Sequence, residues 1–349
     1  MPTLMPEELE RWSQALLAGA GLEPQAAQTT AVSLVAANRR GVDSHGVARL
    51  PAYAKRLQIG SMNGRPQVRV EREHGATALV DADRGPGQVA GVIATDLSIE
   101  LARRHGVGAV AVHRSSHYGA AAYYAIRAAC AGLVGISTTN AEPFVIPFGG
   151  LEPALGTNPI ALAAPTPTGI FDVDMASSQV AHNKIRNAAA EGRSIPEGWG
   201  VDELGHSTTD PNEVFAAVPL GGYKGYGLAV LVEVLSGVLA GAGITHGVGR
   251  LIEEPERPQD VGHFHLAIDP EPLVGSARFA GLLGGLLEEL KTIPAGPDSD
   301  EVLVPGEPEA RVQAERDRDG IPLPDAQWAL LEGLSRELGV PVPDRVGEL

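Results

Sequence analysis

The segment Asp43-Ser44-His45-Gly46 places a histidine four residues before Arg49. On a helix, positions i and i+4 share a face. A histidine beside an arginine offers a proton carrier next to a guanidinium fork able to grip a carboxylate. A 2-hydroxy or 2-oxo acid needs such a pair. The spacing alone also fits a helix capped by Asp43 or Ser44 with Arg49 in solvent. His113 and His117 are likewise four apart, but Ser115, Ser116 and Gly119 make their segment a loop. His263 and His265 alternate on an expected strand and share a face. A zinc site from these pairs lacks an HExxH companion. His74, His105, His206 and His246 read as surface or loop residues. Lys224 lies in the glycine-rich run Pro219–Gly227 before an apolar helix, a weak anion signal.

One motif is a decoy. Gly85-Pro86-Gly87-Gln88-Val89-Ala90-Gly91 follows a strand and opens a helix, as a dinucleotide loop does. Its spacing is GxGxxxG, and the next strand ends Val112-His113-Arg114 without the acid that a ribose requires. A tight strand-to-helix turn is the expectation.

These residues need elements to hold them. Helices are expected from Pro6, over Pro24–Arg39, over Val89–His105, over Ala120–Ala131, over Tyr226–Gly241, over Leu273–Lys291 and over Asp325–Leu338. Strands are expected around Val68 and Val70, at Thr77–Val80, Gly108–His113, Leu133–Thr138 and His263–Ile268. Residues 75–138 thus alternate strand and helix. The span 140–220 reads as loop-rich, and Ala295–Pro308 as linker and strand. The two helical ends are expected to pack together.

The chain has 349 residues and a net charge of −16, which disfavours nucleic acid and anionic lipid as partners. Its N-terminus carries no signal peptide pattern, and no apolar run reaches the roughly 18 residues of a membrane span. A cytoplasmic protein is expected. Cys130, the single cysteine, excludes an internal disulfide and reads as a buried, inert thiol.

Eight collinear motifs make up a resemblance. They are GVDSHGVARLPAY (41–53), SSHYG (115–119), GTNPIALAAP (156–165), FDVDMASSQVA (171–181), IPEGWGVDELGHSTTDP (195–211), PLGGYKGYGLAV (219–230), GHFHLAIDP (262–270) and VPGEPEAR (304–311). In order and spacing the chain resembles the type 2 malate/L-lactate dehydrogenase family, from about residue 5 to residue 343. That family also holds ureidoglycolate, sulfolactate and diketogulonate enzymes and a cyclic-imine reductase.

The resemblance implies an α/β, non-Rossmann mixed-sheet fold with a helical domain formed by both chain ends. The implied units are 1–70 plus 312–349, an α/β segment 71–139 carrying His117, and a dinucleotide-binding domain 140–311. It implies NAD, or NADP, as cofactor and a small-molecule carboxylate as substrate. His45, or His117 as in some members, is the acid/base group, with Ser44 and Arg49 completing the catalytic set. Cofactor contacts map to Asn140, Asp174, Met175, Ala176, Ser177, His182, Lys184, Tyr223, Lys224, Gly306 and Glu307, and no metal is implied. The run His182-Asn183-Lys184 departs from the family pattern, and Glu191 nearby tilts the expectation towards NAD. A homodimer is expected. Two other classes stay open: a non-catalytic binder of carboxylates or nucleotides, and a metal hydrolase built on His113, His117, His263 and His265.

Overall fold

A seven-stranded mixed sheet organises the chain, whose computed structural model describes residues 1–344 and not the side chain of Asn183. In chain order its strands are β1 (Arg69–His74), β2 (Thr77–Asp81), β3 (Val107–Ser115), β4 (Val134–Thr139), β5 (Ile160–Thr166), β6 (Gly169–Met175) and β7 (Val261–Ile268). The spatial order is β1-β2-β3-β7-β4-β5-β6. Only β2 and β3 run parallel; the other neighbours are antiparallel. The alternation over 75–138 therefore does not build three adjacent parallel strands. Strand β7 arrives from far down the chain and separates β3 from β4.

The helices are α1 (Pro6–Gly19), α2 (Pro24–Arg39), α3 (Leu50–Ile59), α4 (Gly87–His105), α5 (Ala122–Cys130), α6 (His182–Ala190), α7 (Tyr223–Val232), α8 (Ser276–Lys291), α9 (Glu307–Asp319) and α10 (Asp325–Leu338). A π-helical turn, Glu233–Val238, extends α7. The two chain ends share one apolar cluster, in which Leu9, Trp12, Leu34 and Tyr53 meet Ile321, Trp328 and Leu331. Trp12 stacks obliquely on Trp328 and donates from Nε1 to Ser335 Oγ at 2.8 Å. Residues 345–349 of the expected end domain lie outside the described residues.

Three expectations need correction. The span 140–220 holds the β5–β6 hairpin and α6. Residues 295–308 contain no strand among the described residues but lead into α9, whose polar sequence carries no apolar stripe to announce it. Cys130 ends α5 exposed, because α5 buries the face carrying Ala125, Ala128 and Ala129.

The glycine turn 85–91 has a packing role. A Cβ on Gly87 would stand 2.2 Å from Ser116 O, and one on Gly91 2.5 Å from the Tyr124 ring. Both glycines let α4 lie close to the 115–119 loop and to α5. No helix among the described residues is long and apolar enough to cross a membrane.

Candidate active site

The DSHG segment is not the expected helix start. It forms two 3-10 turns, Asp43–His45 and Val47–Arg49, with Gly46 extended between them. His45 and Arg49 therefore share no helical face, and neither Asp43 nor Ser44 caps α3. Tertiary bonds fix the turns instead. Buried Asn38 accepts from Val47 N at 2.8 Å and donates to Asp43 Oδ1 at 2.6 Å. Arg316, from α9, grips both oxygens of Asp43 at 2.6 and 2.9 Å. Arg49 Nε donates to Ser44 O at 2.7 Å, so its remaining nitrogens are left for the cavity it lines.

A Cβ on Gly46 would sit 2.1 Å from Asn38 Oδ1. Gly46→Ala is accordingly expected to cost about 1–3 kcal/mol of stability, the usual cost of overpacking, and to displace His45. The urea midpoint and kcat should fall together; an unchanged kcat would show that the turn does not set the position of His45.

The His45 and His117 rings stack, with centroids 5.6 Å apart and planes 12° apart. Burial, seconded by the Arg49 charge, holds His45 down to about 3. Burial, then Arg49 and His45, puts His117 well below its ordinary value. His117 N donates to Gln259 Oε1 at 3.0 Å, which fixes the loop. His182 stacks on Phe144 at 3.7 Å, and burial lowers it to about 4. His263 and His265 are buried side by side behind the site. His113, on β3, instead meets Glu71 of the edge strand β1 at 3.0 Å. Among the described residues no three His, Cys, Asp or Glu side chains are grouped to hold a metal.

The buried histidines have a thermodynamic consequence. His45, His117, His182, His263 and His265 resist protons that the unfolded chain accepts near 6.5. Their contribution to stability is complete above the unfolded value and is lost as pH falls toward the folded values. Asp174, Glu142 and Glu233, raised by burial, act in the opposite sense, Asp174 with a value of about 6. Between about pH 7.5 and 6 the five histidines dominate, each proton carrying up to about 1.4 kcal/mol per pH unit. The Tm should fall across that window; a flat or rising Tm would contradict the burial.

One cavity of about 1390 Å³ collects most of the candidates. Ser44, His45, Arg49 and His117 line it together with Asn140, Asp174, Met175, Ala176, His182, Lys184 and Gly306. Ser177, Tyr223, Lys224 and Glu307 do not. Ser177 is buried and donates to Thr157 O, while Glu307 is held by Lys291 and Arg311. Tyr223 and Lys224 are exposed at the start of α7. Glu191 also lies outside the cavity, paired with Arg193, and so does not act on cofactor choice from its wall.

Asn140 reaches the cavity, but its amide is fully engaged. Nδ2 donates to Glu233 and Gly243 O, and Oδ1 accepts from Gly262 N. Asp174 Oδ2 accepts from Ala122 N at the start of α5, at 2.8 Å. The residue is otherwise exposed to the cleft. Seven Arg and Lys side chains against five Asp and Glu line the cavity, in a chain of net charge −16. That local excess suits an anionic occupant, and a cavity of this volume has room for a large ligand with a small acid beside it.

Sequence reasoning missed Glu142, Arg186 and Gln259, which also line the cavity. Tyr53 and Gln88 entered it only as the last residue of the 41–53 motif and as part of the 85–91 turn.

A mixed-sheet α/β protein with a histidine–arginine pair in a large cationic cleft belongs to a recognisable class of oxidoreductase. The family model for malate/L-lactate dehydrogenase matches residues 4–332, and the chain belongs to that family. It is similar to a malate dehydrogenase of Pyrococcus abyssi, 39% identical over 96% of this chain and 94% of that one. A ureidoglycolate dehydrogenase (NAD(+)) of Escherichia coli O157:H7 is 37% identical over 91% and 92% of the two chains. The solved sulfolactate dehydrogenase of Methanocaldococcus jannaschii superposes with a TM-score of 0.92 at 37% identity, covering 99% of each chain.

Proposed function

We propose that this protein moves a hydride between a nicotinamide dinucleotide and C2 of a small 2-hydroxy or 2-oxo acid of the malate or lactate kind, in the cytoplasm. The observation that carries this is the placing of Arg49, His45 and the stacked His117 on one wall of a net-cationic cleft. Arg49 holds the substrate carboxylate. In the oxidative direction the C2 hydroxyl proton passes to His45, neutral when free, as the C2–H electron pair leaves. The nicotinamide, when bound, supplies the hydride acceptor or donor. Met175 and Ala176 would lie against it, and Lys184 offers a cation for its phosphates. The name of the ureidoglycolate relative supports NAD over NADP.

The test is a panel of 2-oxo acids and cyclic imines assayed with NADH and with NADPH and ranked by kcat/KM. Turnover of an oxo acid with NADH is expected. A preference for a cyclic imine would make the protein a reductase of that class. Hydrolysis abolished by a chelator, without any nicotinamide-linked turnover, would defeat the reading.

A second copy of the chain is part of the same proposal. Leu231, Val234 and Val238 form an exposed apolar stripe along α7 and its π-helical turn. Such a stripe marks an association surface. Sedimentation at micromolar concentration should give a homodimer or larger; a monomer would reject it.

A further inference from the structure

We propose that Tyr53 and Gln88 position His117: the Tyr53 hydroxyl donates to Nδ1 and so fixes the tautomer that presents Nε2–H to the cavity. Tyr53 Oη lies 2.6 Å from His117 Nδ1, and Gln88 Nε2 donates to that same hydroxyl oxygen at 2.8 Å. With its oxygen accepting from Gln88, the hydroxyl gives its proton to the ring nitrogen at 2.6 Å rather than to the more distant His117 O at 3.4 Å. Independently, Gly119 N–H donates to Nδ1 at 3.3 Å. A backbone amide can only donate, so an Nδ1–H would face a second donor.

The opposite sense of the Gln88 amide fails on the same ground. It would turn the Tyr53 proton to Gln88 and require Nδ1–H to donate to the Tyr53 hydroxyl oxygen, with the Gly119 N–H left facing a protonated Nδ1. It would also leave the amide NH₂ where Oε1 now has no partner, and orphaned donors are rarer in proteins than under-satisfied carbonyls. Tyr53 and Gln88 are both fully buried, so water does not compete for these bonds. The hydrogen bonds of His117 to described residues run through Nδ1 and the backbone, none through Nε2, and the residue lines the cavity wall.

A neutral His117 held this way cannot accept a proton at Nε2. It acts there as a hydrogen-bond donor to an oxygen of the occupant. His45 Nδ1 instead meets the Ser44 hydroxyl at 2.9 Å, a group able to donate or to accept. His45 therefore retains a tautomer with a bare Nε2. The two stacked rings divide the work: His117 holds the C2 oxygen and His45 carries the proton. This consequence rests on the dehydrogenase reading; the tautomer itself does not.

The experiment is long-range proton–nitrogen correlation on ¹⁵N-histidine protein, with His117 assigned by comparison with His117→Gln. The native protein should show a pyridine-type Nδ1 and a protonated Nε2 for His117. Tyr53→Phe should mix the two tautomers and lower kcat about 10- to 100-fold, the usual worth of a partner that orients a functional histidine. Its NADH affinity should stay unchanged, which a general loosening of the fold would not allow. A protonated Nδ1 in the native protein overturns the proposal, whether or not Tyr53→Phe folds. So does a Tyr53→Phe protein with an unchanged tautomer and unchanged kcat. If no oxo acid is reduced by the native protein, the dehydrogenase reading fails while the spectrum still decides the tautomer.

Discussion

His45→Asn is expected to cut kcat by about 10²- to 10⁴-fold, the range for a positioned acid or base, with the NADH Kd unchanged. The pH profile sharpens the expectation. With free His45 held at about 3 by burial and Arg49, it is neutral throughout the ordinary working range. It is then ready as a base, so kcat/KM for oxidation of the hydroxy acid should be flat with respect to this group from about pH 6 upward. Reduction needs the protonated form and should slow as pH rises, by about tenfold per unit where one proton is required. His117→Asn should lower kcat without removing that proton dependence, because His117 presents a donor rather than a base. If His45→Asn keeps both rate and profile while His117→Asn loses them, the roles are reversed.

Arg49→Met is expected to lower kcat/KM about 10²-fold or more, carried mainly by KM. Truncating one partner of a buried, hydrogen-bonded charge pair costs roughly 2–5 kcal/mol. Arg49 is anchored by Nε to Ser44 O, which aims the rest of its fork into the cavity. Arg49→Lys should recover only part of the loss, since a point charge cannot bind a carboxylate bidentately. Removing the cation also relieves His45 of its second depressing influence. The ionisation of His45 should therefore move upward in Arg49→Met. An unchanged KM would place the carboxylate elsewhere, with Arg186, which also lines the cavity, as the next residue to replace.

The helices at both ends were legible because their apolar residues recur with helical spacing and begin at prolines that suit a first turn. Pro24–Arg39 and Asp325–Leu338 fall where they were expected. The buried strands Val107–Ser115 and Val261–Ile268 showed as short apolar runs. Helix α9 did not show, since it carries almost no apolar residues and is held by ion pairs such as Arg39–Asp317. The hairpin β5–β6 was hidden by the prolines and glycines around it.

The motifs by themselves determined the family, the dinucleotide cleft as its expected site, and His45, Arg49 and His117 as the residues to watch. Short-range spacing could do this because each motif is a contiguous run. How those residues meet was decided only by tertiary contacts. The helical face shared by His45 and Arg49 does not exist: Asn38 and Arg316, the latter 273 positions beyond Asp43, hold two 3-10 turns in its place. The stacking of His45 on His117, and the hold of Tyr53 and Gln88 on the latter, join three separate segments of the chain. The depressed histidines follow from the burial that this convergence creates. Burial and hydrogen-bond direction belong to the packed chain, and a local pattern of residue types does not carry them.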